Sequence, residues 1–445
     1  MENKEYNNIA PTVEECGLRD LKSYQSDKIM CSGSNTNHTA MPVNPSERHV
    51  ILDVLRGLAL LGIALANFSE FSLYSFLPSS VTEAMSTAGI DRIVHYLQYV
   101  FVDGKFYTIF SLLFGVGFSI IIANAMKRGV DGFRVFYRRM FILLLIGFLH
   151  LMFLWSGDIL MLYALCGMLL PLFRKASNRM LLGWAFVLFT IPIAVDFFVE
   201  LSGIYPSASV VELQQFYCAK YGITDENFAY WLRDAQNYNA MFEFLIQGAL
   251  VRVQEFIDGN RYFKVMGLFL LGFYIGRNHF YAHLESRKTW LKQIVRYGLT
   301  IGLPFSFLYA WSAMNSRPWG LGVHAVLYFV SVFPLGFAYV AGTCLYFLRC
   351  SQWSGFRFFA APGRMALTNY IGQSVFGILL FYGIGLGFGA GIGLVYVILI
   401  AVTVWGVQAL FSRGWLHHFQ FGPLEWIWRM LTYGKVFKLF KERSR

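Results

Sequence analysis

Residues 48–68 read RHVILDVLRGLALLGIALANF. From Val50 the stretch is apolar apart from Asp53, Arg56 and Asn67, and a run of about 20 such residues is long enough for a helix to cross the hydrocarbon core of a bilayer. A helix is also the form in which one segment satisfies its own backbone groups there. Similar runs recur at roughly 106–125, 138–155, 159–173, 181–201, 262–277, 293–313, 321–348, 366–386 and 390–411. Together with 50–68 they predict an all-α, polytopic membrane bundle of ten transmembrane helices.

Composition points the same way. Of 445 residues, 56% are hydrophobic and only 14% charged, against about 25% charged in soluble chains. The 44 Phe, 25 Tyr and 11 Trp exceed what a soluble interior of this size can hide. An ordinary soluble enzyme is thereby excluded. The formal charge of +11 suggests nucleic acid at first sight, but in a membrane protein a basic excess belongs to cytoplasmic loops. No nucleic-acid partner is expected. The six cysteines show no CxxC or zinc spacing, so neither a disulfide frame nor a metal is indicated.

Residues 1–47 are polar, rich in Asn and Ser, and lack the apolar core of a secretory signal. They read as a disordered cytoplasmic leader. Residues 48–435 form the membrane domain and 436–445 a basic tail. Charge fixes the orientation. Lys127, Arg128, Arg134, Arg138 and Arg139 crowd one loop against Asp131, Arg174, Lys175 and Arg179 occupy another, and the 277–296 loop and the chain beyond Ser412 are also basic. The 202–261 loop is acidic on balance. Basic loops stay in the cytoplasm, which places both termini inside and 202–261 outside. The 226–257 stretch mixes aromatics with charges, as an interfacial or capping helix does.

Ionisable groups within spans are expensive and therefore functional candidates. Asn67, Asp103, Lys105, His150 and Asp158 lie near the outer ends of four predicted helices. His150 is the best general base among them, since its ordinary pKa lets it accept a proton near neutrality. Asp158 or Asp103 would hold its other nitrogen. Equally, a lone histidine on an apolar helix can simply hydrogen-bond a neighbouring helix, and Lys105 can reach to the interface. Toward the inner side lie Asp53, Arg56, Arg139, Arg364 and Asn369. They read either as a structural ion pair with interfacial arginines or as an anion site, since the guanidinium fork suits phosphate. An inner phosphate site beneath an outer base suggests a cytosolic phosphorylated donor whose reactive end reaches upward. His279 and His283 lack a third ligand and read as surface residues.

The blocks RHVILDVLRGLALLGIALANF (48–68), FVDGKFYTIFSLLFGVGFSI (101–120), RRMFILLLIGFLHLMFLWSGDILMLYALCG (138–167), GRMALTNYIGQSVFG (363–377) and WLHHFQFGPLEWIWRMLTYGK (415–435) resemble the YeiB-like family of bacterial membrane proteins, which share a domain of unknown function. That family is grouped with transmembrane acyltransferases, including heparan-glucosaminide acetyltransferases and the O-acetyltransferases of surface sugars. The resemblance implies a bacterial inner-membrane protein that moves an acyl group from cytosolic acyl-CoA or acetyl-CoA to an extracytoplasmic acceptor, such as a glycan or small molecule. It sets Asn67 near the catalytic asparagine of the heparan enzymes, with Pro78 in the stretch where their histidine follows. Arg139 and His150 are spaced like the Arg-x10-His motif of the O-acetyltransferases. On this reading Arg56, Arg139, Arg364 and Asn369 bind the donor, His150 activates the acceptor with Asp158 or Asp103 orienting it, and Asn67 and Lys105 stabilise the oxyanion. No metal is expected. The partners are the lipid bilayer and the acceptor, with a homodimer left open. The competing function is a transporter or flippase for a small anion, lipid or sugar, in which the same charges line a pathway.

Overall fold

The computed structural model describes residues 49–127, 131–350 and 353–441, so the leader expected over 1–47 falls outside the described residues. Helix makes up 79% of the structure, and the only β contact among the described residues is an isolated bridge between Phe419 and Phe440. In chain order the α-helices of ten or more residues are α1 (Val50–Phe71), α2 (Ala88–Phe101), α3 (Lys105–Lys127), α4 (Gly132–Phe153), α5 (Leu160–Leu169), α6 (Asn178–Ser202), α7 (Ala208–Tyr221), α8 (Tyr238–Asp258) and α9 (Arg261–Arg277). They continue as α10 (Lys288–Tyr297), α11 (Leu303–Met314), α12 (Gly320–Arg349), α13 (Ser354–Arg364), α14 (Ala366–Phe381), α15 (Leu394–His418) and α16 (Pro423–Tyr433).

Six helical stretches among the described residues are long and apolar enough to cross a membrane: α1, α2 running into α3, α4, α6, α12 and α15. They carry large apolar side chains outward, among them Phe141, Phe198, Leu399 and Leu410, a surface that belongs in lipid rather than water. The other four predicted spans are helical but fall short of that standard. Leu160–Phe173 and α14 are apolar yet brief, and α9 has 17 residues. The 293–313 stretch is divided by a π turn at Gly298–Gly302 between α10, which carries Lys288, Lys292 and Arg296, and α11. The 202–261 segment contains α7 and α8, and Phe244 and Leu245 of α8 pack into one buried cluster with Phe71, Trp155, Phe381 and Tyr382.

Two helix crossings bring backbones together. A Cβ at Gly57 would lie 1.8 Å from the Phe359 carbonyl oxygen, and one at Gly363 would lie 1.9 Å from that of Asp53, so only glycine permits α1 to touch α13. Gly115 and Gly272 interlock α3 with α9 in the same reciprocal way, each meeting a carbonyl oxygen at 2.1 Å. This is the close approach that small residues allow between helices in lipid. The first crossing brings the stretch of α1 that carries Arg56 against the end of α13 that carries Arg364.

The basic segments gather at one end of the bundle, where the described chain begins and finishes, here termed the terminal face. There His49 meets Tyr281 edge-on at 4.7 Å between ring centres, Arg277 donates to the Ala176 carbonyl at 2.7 Å, and the Arg174 guanidinium lies 4.8 Å from the Phe133 ring centre. The opposite, far face holds the α4–α5 turn, α8 and the start of α12. The chain after α16 returns to the end of α15, with Gln420 N–H donating to the Leu439 carbonyl and Lys441 N–H to that of His418.

Candidate functional site

A cavity of about 2080 Å³ runs through the bundle from one face to the other. Its terminal end is lined by Asp53, Arg56, Arg139, Arg364, Arg429 and Lys441, its waist by Phe110, Leu113, Phe114, Phe118 and Leu143, and its far end by Glu70, Asp103, Asp196, Arg252, Lys264, Arg317 and His324. The lining thus changes from cationic, through apolar and aromatic, to a mixture of both charges.

At the terminal end, Asp53 in the first turn of α1 accepts from Arg56 at 3.1 Å, a spacing that places both on one helix face. The Arg139 guanidinium lies 3.7 Å from the Trp428 ring centre, and Trp428 Nε1 donates to the Arg139 carbonyl at 3.1 Å. Arg364 ends α13, and a break at Met365 separates it from α14. Glu425 of α16 closes that break. Its carboxylate accepts from the backbone N–H of Leu367 at 2.7 Å and Thr368 at 3.0 Å, and from the Thr368 hydroxyl at 2.6 Å. Burial outweighs these bonds and raises the Glu425 carboxyl above its ordinary 4.5. Burial, then the charges of His279 and His283, push the His49 imidazole below its ordinary 6.5.

At the far end Arg252 is fully engaged, donating to Glu255 at 2.6 Å, Glu70 at 3.2 Å and the Ser156 carbonyl at 2.9 Å. The Tyr309 hydroxyl donates to Asp103 at 2.6 Å, and Asn260 Nδ2 to Asp196 at 2.9 Å.

His150 sits in the last turn of α4, one turn before the tight connection to α5. Its Nδ1 is 2.9 Å from Asp158 Oδ1 and its Nε2 is 2.8 Å from the Ser374 hydroxyl of α14. A carboxylate can only accept, so Nδ1–H donates to Asp158, leaving Nε2 to accept from Ser374. The other Asp158 oxygen accepts from Met161 N–H at 2.8 Å and thereby secures the start of α5. Serine, imidazole and carboxylate thus stand in series, as in nucleophilic hydrolases. Each is only 1% exposed, however, and none lines the cavity. Tyr370 does line it, and its ring centre is 5.3 Å from that of His150.

The candidates from sequence therefore separate into two groups. Asn67, Asp103, Arg56, Arg139 and Arg364 line the cavity. His150 and Asp158 meet each other behind Tyr370, so it is Asp158 rather than Asp103 that holds the ring. Lys105 is wholly buried, with its ammonium donating to the Tyr99 carbonyl at 2.6 Å and 5.3 Å from the centre of the Tyr309 ring. Asn369 is buried between the Pro362 carbonyl and the Ser412 hydroxyl, at 3.2 and 2.9 Å. Sequence reasoning misses Ser374, Arg429, Lys264, Arg317 and His324. A serine in an apolar helix carries no charge to betray it. Lys264 and His324 lie near the ends of predicted spans, where cationic residues ordinarily reach toward water.

The chain is 30% identical over 411 residues to the uncharacterized protein YxaH of Bacillus subtilis (strain 168), an alignment covering 88% of this chain and 96% of the relative. A family model described as "Protein of unknown function (DUF418)" matches residues 275–435. The chain belongs to the DUF418 family. An uncharacterized 39.9 kDa protein from the amylase 3′ region of Bacillus acidopullulyticus is 28% identical over 409 residues, covering 91% of this chain and 99% of the relative. The uncharacterized protein YeiB of Escherichia coli (strain K12) is 27% identical over 415 residues, covering 87% and 96%. The DUF418 model spans Arg317, His324, Arg364, Ser374 and Arg429, whereas Arg56, Arg139, His150 and Asp158 precede it.

Proposed function

We propose that this DUF418 protein is an integral-membrane acyltransferase that takes an acyl group from acyl-CoA or acetyl-CoA and delivers it to an acceptor entering from the far face. With ten spans and both termini in the cytoplasm of a bacterial inner membrane, the terminal face meets cytosolic donor and the far face is extracytoplasmic. The single observation that carries the reading is the cavity, whose cationic end, aromatic waist and polar far end suit an elongated ligand with a phosphate-bearing head. Arg56, Arg139 and Arg364, joined by Arg429, grip the phosphates, for which a guanidinium fork is apt. Asn67 is half-buried on the cavity wall, its side-chain amide has no hydrogen bond to any described residue, and that amide donates to the developing oxyanion.

His150, oriented by Asp158, is the general base, reaching the acceptor when the Tyr370 ring turns aside and the Ser374 hydroxyl gives up its bond to Nε2. The acceptor hydroxyl or amine attacks the thioester carbon, its proton passes to Nε2, and the carbon–sulfur bond breaks to release the coenzyme thiolate. The test is to incubate purified full-length protein with acetyl-CoA. Ligand linkage predicts a rise in Tm that Arg56→Ala and Arg364→Ala weaken, and thioester cleavage that His150→Ala abolishes. Acetyl-CoA that neither stabilises the protein nor is consumed would overturn the reading. The continuity of the cavity between the two faces favours a second reading, transport of a small anion, lipid or sugar; stabilisation by such a solute without any response to acetyl-CoA would select it.

A further inference from the structure

We infer that the far end of the cavity holds a ligand site of its own, for a singly charged anionic group such as a carboxylate, built from Lys264, Arg317 and His324. The inference holds whether the chain transfers acyl groups or transports a solute, because it rests on the wall of the cavity and not on any reaction.

The connection between α11 and α12 is the first observation. Ser316 and Arg317 both adopt left-handed backbone, with φ of 57° and 55°, and Gly320 follows at 86°. Two successive non-glycine residues in that region are costly and persist only where the surroundings impose them. Here Arg317 N–H donates to the Ser312 carbonyl at 2.8 Å, the Arg317 carbonyl accepts from Gly320 N–H at 2.9 Å, and Trp319 packs on Trp311 at 4.8 Å between ring centres. Glu200 accepts from Gly322 N–H at 2.9 Å and ties the start of α12 to α6. The turn so held puts Arg317 on the cavity wall, where its guanidinium has no ion pair or hydrogen bond to any described residue.

Lys264 and His324 complete the set. Lys264, in the first turn of α9, is half-buried on the same wall, with its ammonium 4.2 Å from the centre of the Tyr328 ring and no carboxylate in ion-pair contact among the described residues. His324 rests Nδ1 on the Ser312 hydroxyl at 3.0 Å, which leaves Nε2 without a partner among the described residues. A run of rings joins Lys264 to His324: Tyr328, beneath the ammonium, is 5.6 Å from Tyr309, which is 4.9 Å from His324 between ring centres. Lys264 is the cation held partly out of water without a carboxylate in contact, which is unfavourable; an anion in the cavity supplies that partner, with the exposed Arg317 guanidinium on the same wall. Asp103 and Asp196 lie on the same wall and accept from the neutral donors Tyr309 and Asn260, and among the described residues neither is in ion-pair contact with Lys264 or Arg317. Their charges oppose a second negative charge on the ligand, which is why the site suits a monoanion.

Lactate and lactamide, which differ in charge but little in shape, provide the test. Each is titrated at constant ionic strength into purified full-length protein while Tm is followed. Lactate is expected to raise Tm and lactamide to leave it unchanged. Arg364→Gln, at the opposite end of the cavity, should preserve the response, whereas Lys264→Met and Arg317→Gln should each weaken apparent lactate affinity at least tenfold. Their Tm without ligand reports whether they fold, and Arg317→Gln is the safer variant because that side chain is exposed. The inference is overturned if lactate gives no rise, if lactamide matches it, or if the response survives both far-end variants.

Discussion

His150 and His324 each rest a ring nitrogen on a serine hydroxyl, yet their surroundings are opposite. His150 has both nitrogens occupied, by Asp158 and Ser374, and is sealed at 1% exposure away from the cavity. His324 has one nitrogen on Ser312 and the other without a partner among the described residues, on the cavity wall. A fully satisfied buried network is rigid and costly to break, whereas a half-satisfied group facing a cavity is open to a ligand. The first histidine is organised from within the protein and the second toward whatever enters.

Breaking the sealed unit should therefore produce the largest effect. His150→Ala removes a hydrogen bond from the buried Asp158 carboxylate and should destabilise the protein by about 3 kcal/mol, measured by denaturant unfolding in detergent. A loss below about 1 kcal/mol would mean that water reaches the carboxylate and that the unit is not sealed. Gly363→Ala comes next, at about 2 kcal/mol, because its Cβ would collide with the Asp53 carbonyl oxygen and force α13 from α1. Acetyl-CoA binding should weaken with it if the crossing sets the arginine geometry. Ser374→Ala, which leaves only Nε2 unpaired, should cost about 1 kcal/mol.

How much of this is legible in the sequence follows from what each feature depends on. The helical membrane architecture is readable because hydrophobic length is a local property, and so is the grouping of basic segments, which recurs along the chain. The division of 293–313 is not, since a π turn at Gly298–Gly302 leaves no hydropathy signal. Within the site, the His150–Asp158 contact is legible from two ionisable residues flanking one short turn. Ser374 is hidden because it lies 224 positions from its partner and is uncharged. The burial of Lys105 is hidden as well, because its carbonyl acceptor belongs to the preceding helix and backbone acceptors carry no side-chain signature.

The open histidine should respond weakly. His324→Gln exchanges one hydrogen-bonding group for another at a half-buried position and should change stability by no more than about 0.5 kcal/mol, in contrast to His150. An effect as large as that of His150→Ala would erase the distinction between the two.

The smallest effect separates two carboxylates that both accept from backbone N–H at the start of a helix, the buried Asp158 at α5 and the half-buried Glu425 at α14. Glu425 lies at the terminal face with its carboxyl raised above 4.5 by burial. A carboxyl that holds its proton more tightly in the folded state stabilises the fold fully below its unfolded pKa and loses that contribution as pH climbs through the higher folded value. Glu425→Gln retains a carbonyl oxygen for the Leu367 and Thr368 N–H groups but cannot ionise. Relative to wild type, the variant should therefore gain stability as pH rises above 4.5, by a few tenths of a kcal/mol given its polar partners. Unfolding measured at about pH 4.5 and again at about pH 7 gives the difference directly, with the other titrating groups cancelling. A gap that stays constant between the two pH values would mean that the three hydrogen bonds, and not burial, govern this carboxylate.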